Sequence, residues 1–314
     1  KPQLTRRDKM ARITNLVGRR ELFAPNLTLW VSKWSGKLVV MKIVVCVKHV
    51  PDADSDRRIE SGRIVRGEED VLNELDEYAI EEAVTLVEDR GGEVIALTMG
   101  PEDSEEAVLR ALQMGADRGL VVSDPALEGA DAPATADVLA AAVRMIGADD
   151  PVDLVLTGMA SLDGMTSMLA PALAATLDWP LLDLAQTVQV EDTDQDGAWK
   201  VTVTRNADGF EDTLSATTPL VVSVTDQINE PRYPSFKTMR AAKQKPLDFV
   251  ELVDLEVGRS FDEGSALTVV IDAQPVVREG GVVVTDSGDG GTQLAEYLLE
   301  NIPGGVGGLP GGEA

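Results

Sequence analysis

The run Gly158-Met-Ala-Ser-Leu-Asp-Gly-Met-Thr-Ser167, continued by Met168 and Leu169, holds the residue types that grip a phosphate. Small residues let a turn expose its backbone N–H groups, and the Thr166 and Ser167 hydroxyls add donors. The positive end of a helix expected over Met165–Leu177 favours an anion. A turn of Gly, Asp, Ser and Thr also serves as a plain capped connection, so the loop by itself leaves both uses open. Other chemistry is excluded by what the chain lacks. One cysteine, Cys46, and one histidine, His49, rule out a His/Cys metal cluster and any triad that needs a second histidine. Neither GxGxxG after the first strand nor GxxxxGK[ST] is present, which removes the usual supports for NAD binding and P-loop hydrolysis. Cys46 lies in a β-branched run and reads as a small core hydrophobe, and His49 at the strand end reads as a loop or interface hydrogen-bonding group. The pairs Glu81-Glu82 and Glu105-Glu106 point to different helix faces and read as solvated surface.

A phosphate loop works at the end of a buried parallel strand, and the chain supplies several. Ile43–Val47 is a continuous apolar run. After a long loop over 51–72, Asn73 is placed as an N-cap. Asp76 and Glu77 follow in the first turn, and Leu75, Ala79, Ala83, Leu86 and Val87 share one face of a helix reaching Arg90. Strands are expected at Val94–Met99, Gly119–Ser123 and Val152–Thr157, and helices at Glu102–Met114 and Pro133–Ile146. Four strand–helix units in succession predict an α/β fold, a doubly wound, mostly parallel sheet with ligands beyond the carboxyl ends of its strands. Leu184–Val190, Trp199–Thr204 and Leu220–Val224 are read as an antiparallel edge extension around turns at Asp196-Gly197 and Asp208-Gly209.

Charge narrows the function further. With 54 Asp+Glu against 28 Lys+Arg the net is −26, which repels nucleic acid and anionic membranes. No apolar run approaches the roughly 20 residues of a bilayer span, so the expectation is a soluble, cytoplasmic protein without membrane insertion. Residues 1–40 hold nine basic residues against two acidic, a net of +7, which leaves −33 for residues 41–314. They read as an upstream extension foreign to the native chain, with Met41 as its start. The scarcity of lysine beyond Met41 and the crowding of carboxylates resemble salt adaptation, as in a halophilic archaeon. The remaining divisions are a nucleotide-binding domain over 41–226, a loop and short helix over 227–247, a C-terminal arm over 248–302 and a disordered glycine-rich tail over 303–314.

The stretch Asn229-Glu-Pro-Arg-Tyr-Pro-Ser-Phe-Lys-Thr-Met-Arg-Ala-Ala-Lys-Gln-Lys-Pro-Leu247 closely resembles the signature segment of the electron transfer flavoprotein β-subunit family. Val47-Lys48 with Val50-Pro51-Asp52, Asn73 with Asp76-Glu77, Met114-Gly-Ala-Asp-Arg118, and Asp178-Trp-Pro180 fit the same family in order, over roughly residues 41–255.

The resemblance implies a Rossmann-like domain of the adenine nucleotide α hydrolase-like kind, and a non-enzymatic electron-carrier subunit. Its α-subunit partner holds the redox-active FAD, while the β-subunit buries AMP, or in a bifurcating subset a second FAD. Acyl-CoA or related dehydrogenases are the implied electron donors and a quinone oxidoreductase the acceptor, as in fatty acid β-oxidation. The implied nucleotide contacts are Cys46, Asn73, Asp76, Met99, Gly158, Ser161, Asp163, Gly164, Thr166, Ser167, Met168 and Leu169. Arg232, Tyr233, Phe236, Lys237, Arg240 and Lys243 are implied to meet the dehydrogenase, with Phe236 where the family has an apolar anchor, usually Leu. The competing use of Phe236 is in this protein's own core. The C-terminal arm is implied to contact the α-subunit, and Arg57, Arg58, Arg63 and Arg66 either reach its flavin or are ordinary loop charges. The chain departs from the family at Met168, where Gln is usual, and at Asn206, where Glu is common. The alternative is a stand-alone adenine-nucleotide-binding protein of the same α/β group, either stress-protein-like or a nucleotidyl transferase.

Overall fold

The computed structural model describes residues 40–55, 58–195, 197–261 and 283–301, so the upstream extension up to residue 39, Arg57, Asp196 and the glycine-rich tail lie outside the described residues. The chain divides into two compact units, residues 1–271 and 272–314.

In the first unit β1 (Met41–Cys46) is buried along its whole length, as its unbroken apolar run requires of a strand covered on both faces. The expected long loop contains two short antiparallel pairs. β2 (His49–Pro51) meets β5 (Asp70–Leu72), and β3 (Ile59–Glu60) meets β4 (Arg63–Ile64). The second pair turns through Ser61-Gly62, both at positive φ as a two-residue hairpin demands. Then follow α1 (Glu74–Arg90), β6 (Gly92–Met99), α2 (Glu105–Met114), β7 (Arg118–Val122), α3 (Ala132–Ile146), β8 (Leu154–Gly158) and α4 (Leu169–Leu177). The remaining elements are β9 (Leu181–Ala185), β10 (Thr187–Asp192), β11 (Trp199–Ala207), β12 (Phe210–Thr217), β13 (Leu220–Val224), α5 (Phe236–Ala242) and β14 (Leu247–Val250).

Seven strands form one sheet in the order β14-β7-β6-β1-β8-β13-β9, and every pairing in it is parallel. Side chains alternate across it. Ile43 and Val45 join a core with α1 and α2, while Val44 and Cys46 join the opposite core with α3 and α4. This is the expected doubly wound α/β fold, and its strand order reverses between β1 and β8, where such sheets open a crevice.

Two expectations are corrected. Leu220–Val224 is no antiparallel edge strand. It is β13, fully buried and parallel between β8 and β9, with its one polar letter, Ser223, satisfied by the Leu184 amide at 2.8 Å and by Asp183. The antiparallel sheet is β10-β11-β12, its Trp199, Val201 and Val203 turned into the core; Leu184 and Ala185, expected in its first strand, belong to parallel β9, and β12 is an addition to the expected strands. The fourth helix begins at Leu169 rather than Met165, because Met165 and Ser167 stand in the left-handed region, at φ 49° and 51°, which a helix cannot continue.

The second unit contributes α6 (Gly290–Asn301), preceded by Asp286, which accepts the Gly288 and Gly290 amides at 2.7 and 3.0 Å. Among the described residues no helix is long and apolar enough to cross a membrane.

Candidate functional site

β6, β1 and β8 are neighbours, and their last residues, Met99, Cys46 and Gly158, share one rim of the sheet at the reversal point. The start of α1 packs hard against that rim. A Cβ on Gly158 would stand 2.5 Å from the Leu75 carbonyl oxygen and 2.6 Å from Asp76 Oδ1, so only glycine lets the two segments approach.

Asn73 sits at the N-cap position, as expected, yet its side chain does not cap the helix. Fully buried, it grips the loop after β8: Oδ1 accepts the Leu162 amide and Nδ2 donates to the Ala160 carbonyl, both at 2.9 Å. One turn on, Asp76 is buried and accepts the Lys48 amide at 2.9 Å. Burial pushes its carboxyl up to about 7, against the hydrogen bonds from Asn73, Lys48 and Gly158 that pull it down. Burial, helped by the charge of Asp76, pushes the Cys46 thiol up to about 12, so it stays protonated and acts as the small core hydrophobe its setting suggested.

The loop has a second pin. The Asp163 side chain is 2% exposed and lies between Lys48 Nζ at 2.9 Å and Arg66 Nη2. Lys48 also reaches Ser161 Oγ at 3.4 Å, and Arg66 donates to the His49 carbonyl at 3.2 Å. Burial by itself would raise the Asp163 carboxyl, but the two cations outweigh it and hold it well below the usual carboxylate range. Beyond these pins Gly164, Met165, Thr166, Ser167 and Met168 are exposed. The amides of Gly164, Thr166 and Ser167 have no hydrogen bond among the described residues, whereas Met165 N bonds the Ser161 carbonyl and Met168 N bonds Thr166 Oγ1. A rigid loop presenting amides beside two half-exposed cations suits a phosphate.

All twelve expected nucleotide contacts therefore belong to the strand ends, the start of α1, or the loop between β8 and α4 with Leu169 opening that helix. Lys48 and Arg66 enlarge the set. A lysine at a strand end reads as a solvated charge, and the signal in the sequence for Lys48 is scarcity, since it is one of only six lysines beyond Met41. Arg58 and Arg63 pair instead with Glu68 and Glu128 on the surface, as ordinary loop charges do. His49 is buried and its Nε2 has no hydrogen-bond partner among the described residues, so the loop half of the expectation is not met.

The segment ahead of β14 follows another logic. Tyr233 is 92% and Phe236 89% exposed, which overturns the core reading of Phe236, and Lys237, Arg240 and Lys243 are exposed beside them. Ser235 caps α5 by accepting the Thr238 amide at 3.2 Å. Arg232 differs from the expectation: its guanidinium is bound to Glu81 and Glu88 on α1. Glu81 and Glu82 are accordingly not solvated surface. Glu82 meets Asn229 Nδ2 at 3.2 Å, and burial raises its carboxyl despite that bond. Lys245 closes the far end, donating to the Leu112 and Gly115 carbonyls at 3.0 and 3.3 Å and to Ala116 at the end of α2.

The chain is similar to known proteins. The electron transfer flavoprotein domain family matches residues 62–255. The electron transfer flavoprotein subunit beta of Mycobacterium leprae is 36% identical over 269 residues, covering 82% of this chain and 97% of that protein. That of Bacillus subtilis is 31% identical over 260 residues, with the same two coverages of 82% and 97%. The protein FixA of Azotobacter vinelandii is 33% identical over 228 residues, 69% of this chain and 80% of that protein.

Proposed function

Because the chain belongs to the electron transfer flavoprotein β-subunit family, we propose that it forms a cytoplasmic heterodimer with an electron transfer flavoprotein α-subunit, binds AMP, and passes electrons as a carrier rather than a catalyst. Acyl-CoA or related dehydrogenases supply the electrons and a quinone oxidoreductase takes them on. The observation that carries the AMP reading is the loop between β8 and α4, held from its backbone by Asn73 and from its side chain by Lys48 and Arg66 on Asp163, at the reversal point of the sheet.

The residues fit such a nucleotide. Gly158, Ser161, Gly164, Thr166 and Ser167 would hold the phosphate, and Asp163 would keep Lys48 and Arg66 beside it, a trio of net charge +1. The backbone at Cys46 and the half-buried Met99 would lie against the base, with Met168 and Leu169 at the loop's far side. Asn73 and Asp76 keep the rim in shape. AMP there supplies stability rather than redox chemistry, since a ligand bound by the folded state alone shifts folding toward it. FAD, held mainly by the α-subunit, supplies the electron-carrying ring. The exposed Leu294, Tyr297 and Leu298 share one side of α6, the face we assign to the α-subunit.

Acid extraction of the co-expressed heterodimer tests this. One FAD and one AMP per heterodimer are expected. Two FAD would put a second flavin in the AMP site, and one FAD with no other adenine nucleotide would remove the site altogether.

A further inference from the structure

The segment between β13 and β14 has little to hold it by apolar burial. α5 has seven residues, of which only Ala242 is buried, and the stretch before it has no regular structure. Its path is set by polar contacts: Asn229 ties it to α1 at the near end, Lys245 to the end of α2 at the far end, and between them Arg232 makes the largest set. Arg232 donates from its backbone N and from Nε to Glu81 Oε2 at 3.0 and 2.8 Å, and from Nη2 to Glu81 Oε1 at 2.9 Å. Nη1 and Nη2 reach the two oxygens of Glu88 at 2.7 and 3.0 Å. Glu81 and Glu88 stand two turns apart on α1, a spacing that the planar fork of a guanidinium bridges and a lysine ammonium does not.

We propose that Arg232 is the positioning residue of the dehydrogenase-docking segment: clasped to Glu81 and Glu88, it fixes the chain's entry into α5 so that Tyr233 and Phe236 project as ready-made anchors. The proposal rests on the docking reading above and deepens it. Arg232 is thereby withdrawn from the partner-facing cations, which leaves Lys237, Arg240 and Lys243 to meet an acidic surface. A segment ordered before encounter loses less conformational freedom on docking, so the clasp acts on affinity and not on the electron-transfer step.

The test uses the flavin-loaded heterodimer with an acyl-CoA dehydrogenase reduced by its acyl-CoA, and dithionite as a reductant that needs no docking. Arg232→Gln and the pair Glu81→Gln with Glu88→Gln should each raise KM for the heterodimer about tenfold. Maximal rate, dithionite rate, flavin content and Tm should stay near the parent values. Combining all three changes should add nothing, because they break one device. Glu88→Gln alone, on an exposed side chain, should give an intermediate KM without touching the fold.

A rise for Arg232→Gln but not for the glutamate pair would mean that Arg232 touches the dehydrogenase itself, and the clasp would fall. Losses of Tm and flavin in step with KM would reduce it to a structural contact. An effect of Phe236→Ala on KM with none from the clasp variants would overturn the clasp alone. No effect from Phe236→Ala would remove the docking reading and the clasp with it.

Discussion

Asn73 holds Leu162 across 89 residues of chain, its Oδ1 accepting the Leu162 amide at 2.9 Å while the residue itself opens α1. The same carboxamide that a helix start would ordinarily use as a cap is turned outward to fix the loop after β8. Asn73→Ala should therefore act on the loop and only weakly on the helix. With its two buried hydrogen bonds to the loop lost, and the one that helps pull the Asp76 carboxyl down, about 3 kcal/mol of stability should go, together with most of the bound nucleotide. Chemical denaturation and nucleotide content of the purified heterodimer measure both, and retained nucleotide would show that the loop holds its shape without Asn73.

Gly158→Val should lower nucleotide content and Tm together. The first added carbon already overlaps the Leu75 carbonyl and the Asp76 carboxylate, so α1 must move away from the rim. Overpacking of this kind costs about 1–3 kcal/mol, and the stabilisation from the lost ligand disappears with it. Unchanged AMP occupancy in Gly158→Val protein would take this loop out of the site.

Asp76 should make stability depend on pH. Its folded pKa, about 7, lies above its ordinary 3.8, so the folded state binds the extra proton. That contribution is fully present below the ordinary value and is lost as pH rises through about 7. Asp76→Asn keeps an acceptor for the Lys48 amide and has no proton to lose. Its Tm advantage over the parent should grow from pH 4 to 7 and then level off, and parallel Tm curves across that window would count against a buried, protonating Asp76.

Phe236→Ala should leave Tm unmoved, because the ring is 89% exposed and touches no core. As an anchor in a partner pocket its truncation should cost about 2 kcal/mol of docking, read as about a thirtyfold rise in KM for the dehydrogenase. Unchanged kinetics would assign the exposed ring no part in docking.

The doubly wound sheet was legible because its strands are continuous apolar runs and its helices show apolar faces, both local signals. β13 was misread because Ser223 interrupts such a run, and only the three-dimensional neighbours Asp183 and Leu184 show that its hydroxyl is satisfied inside. The start of α4 was misread because Met165 and Ser167, unlike glycine, give no sign of left-handed backbone. The loop between β8 and α4 was legible from its composition, but its pins were not. Lys48 lies 115 residues from Asp163, and Arg232 lies 151 from Glu81. No periodicity records partners so far apart, and each of these charges taken alone reads as solvated.

The buried thiol of Cys46 has a practical side. It is the only cysteine in the chain, and with a pKa near 12 and almost no exposure it stays silent toward maleimides at neutral pH. A cysteine introduced at exposed Ala241 on α5, outside the cations assigned to the dehydrogenase, would then be the sole reactive thiol of this chain without any prior mutation of the native one. A fluorophore or spin label attached there would report on the surroundings of α5 as partners bind and leave, in a protein whose core has been left untouched.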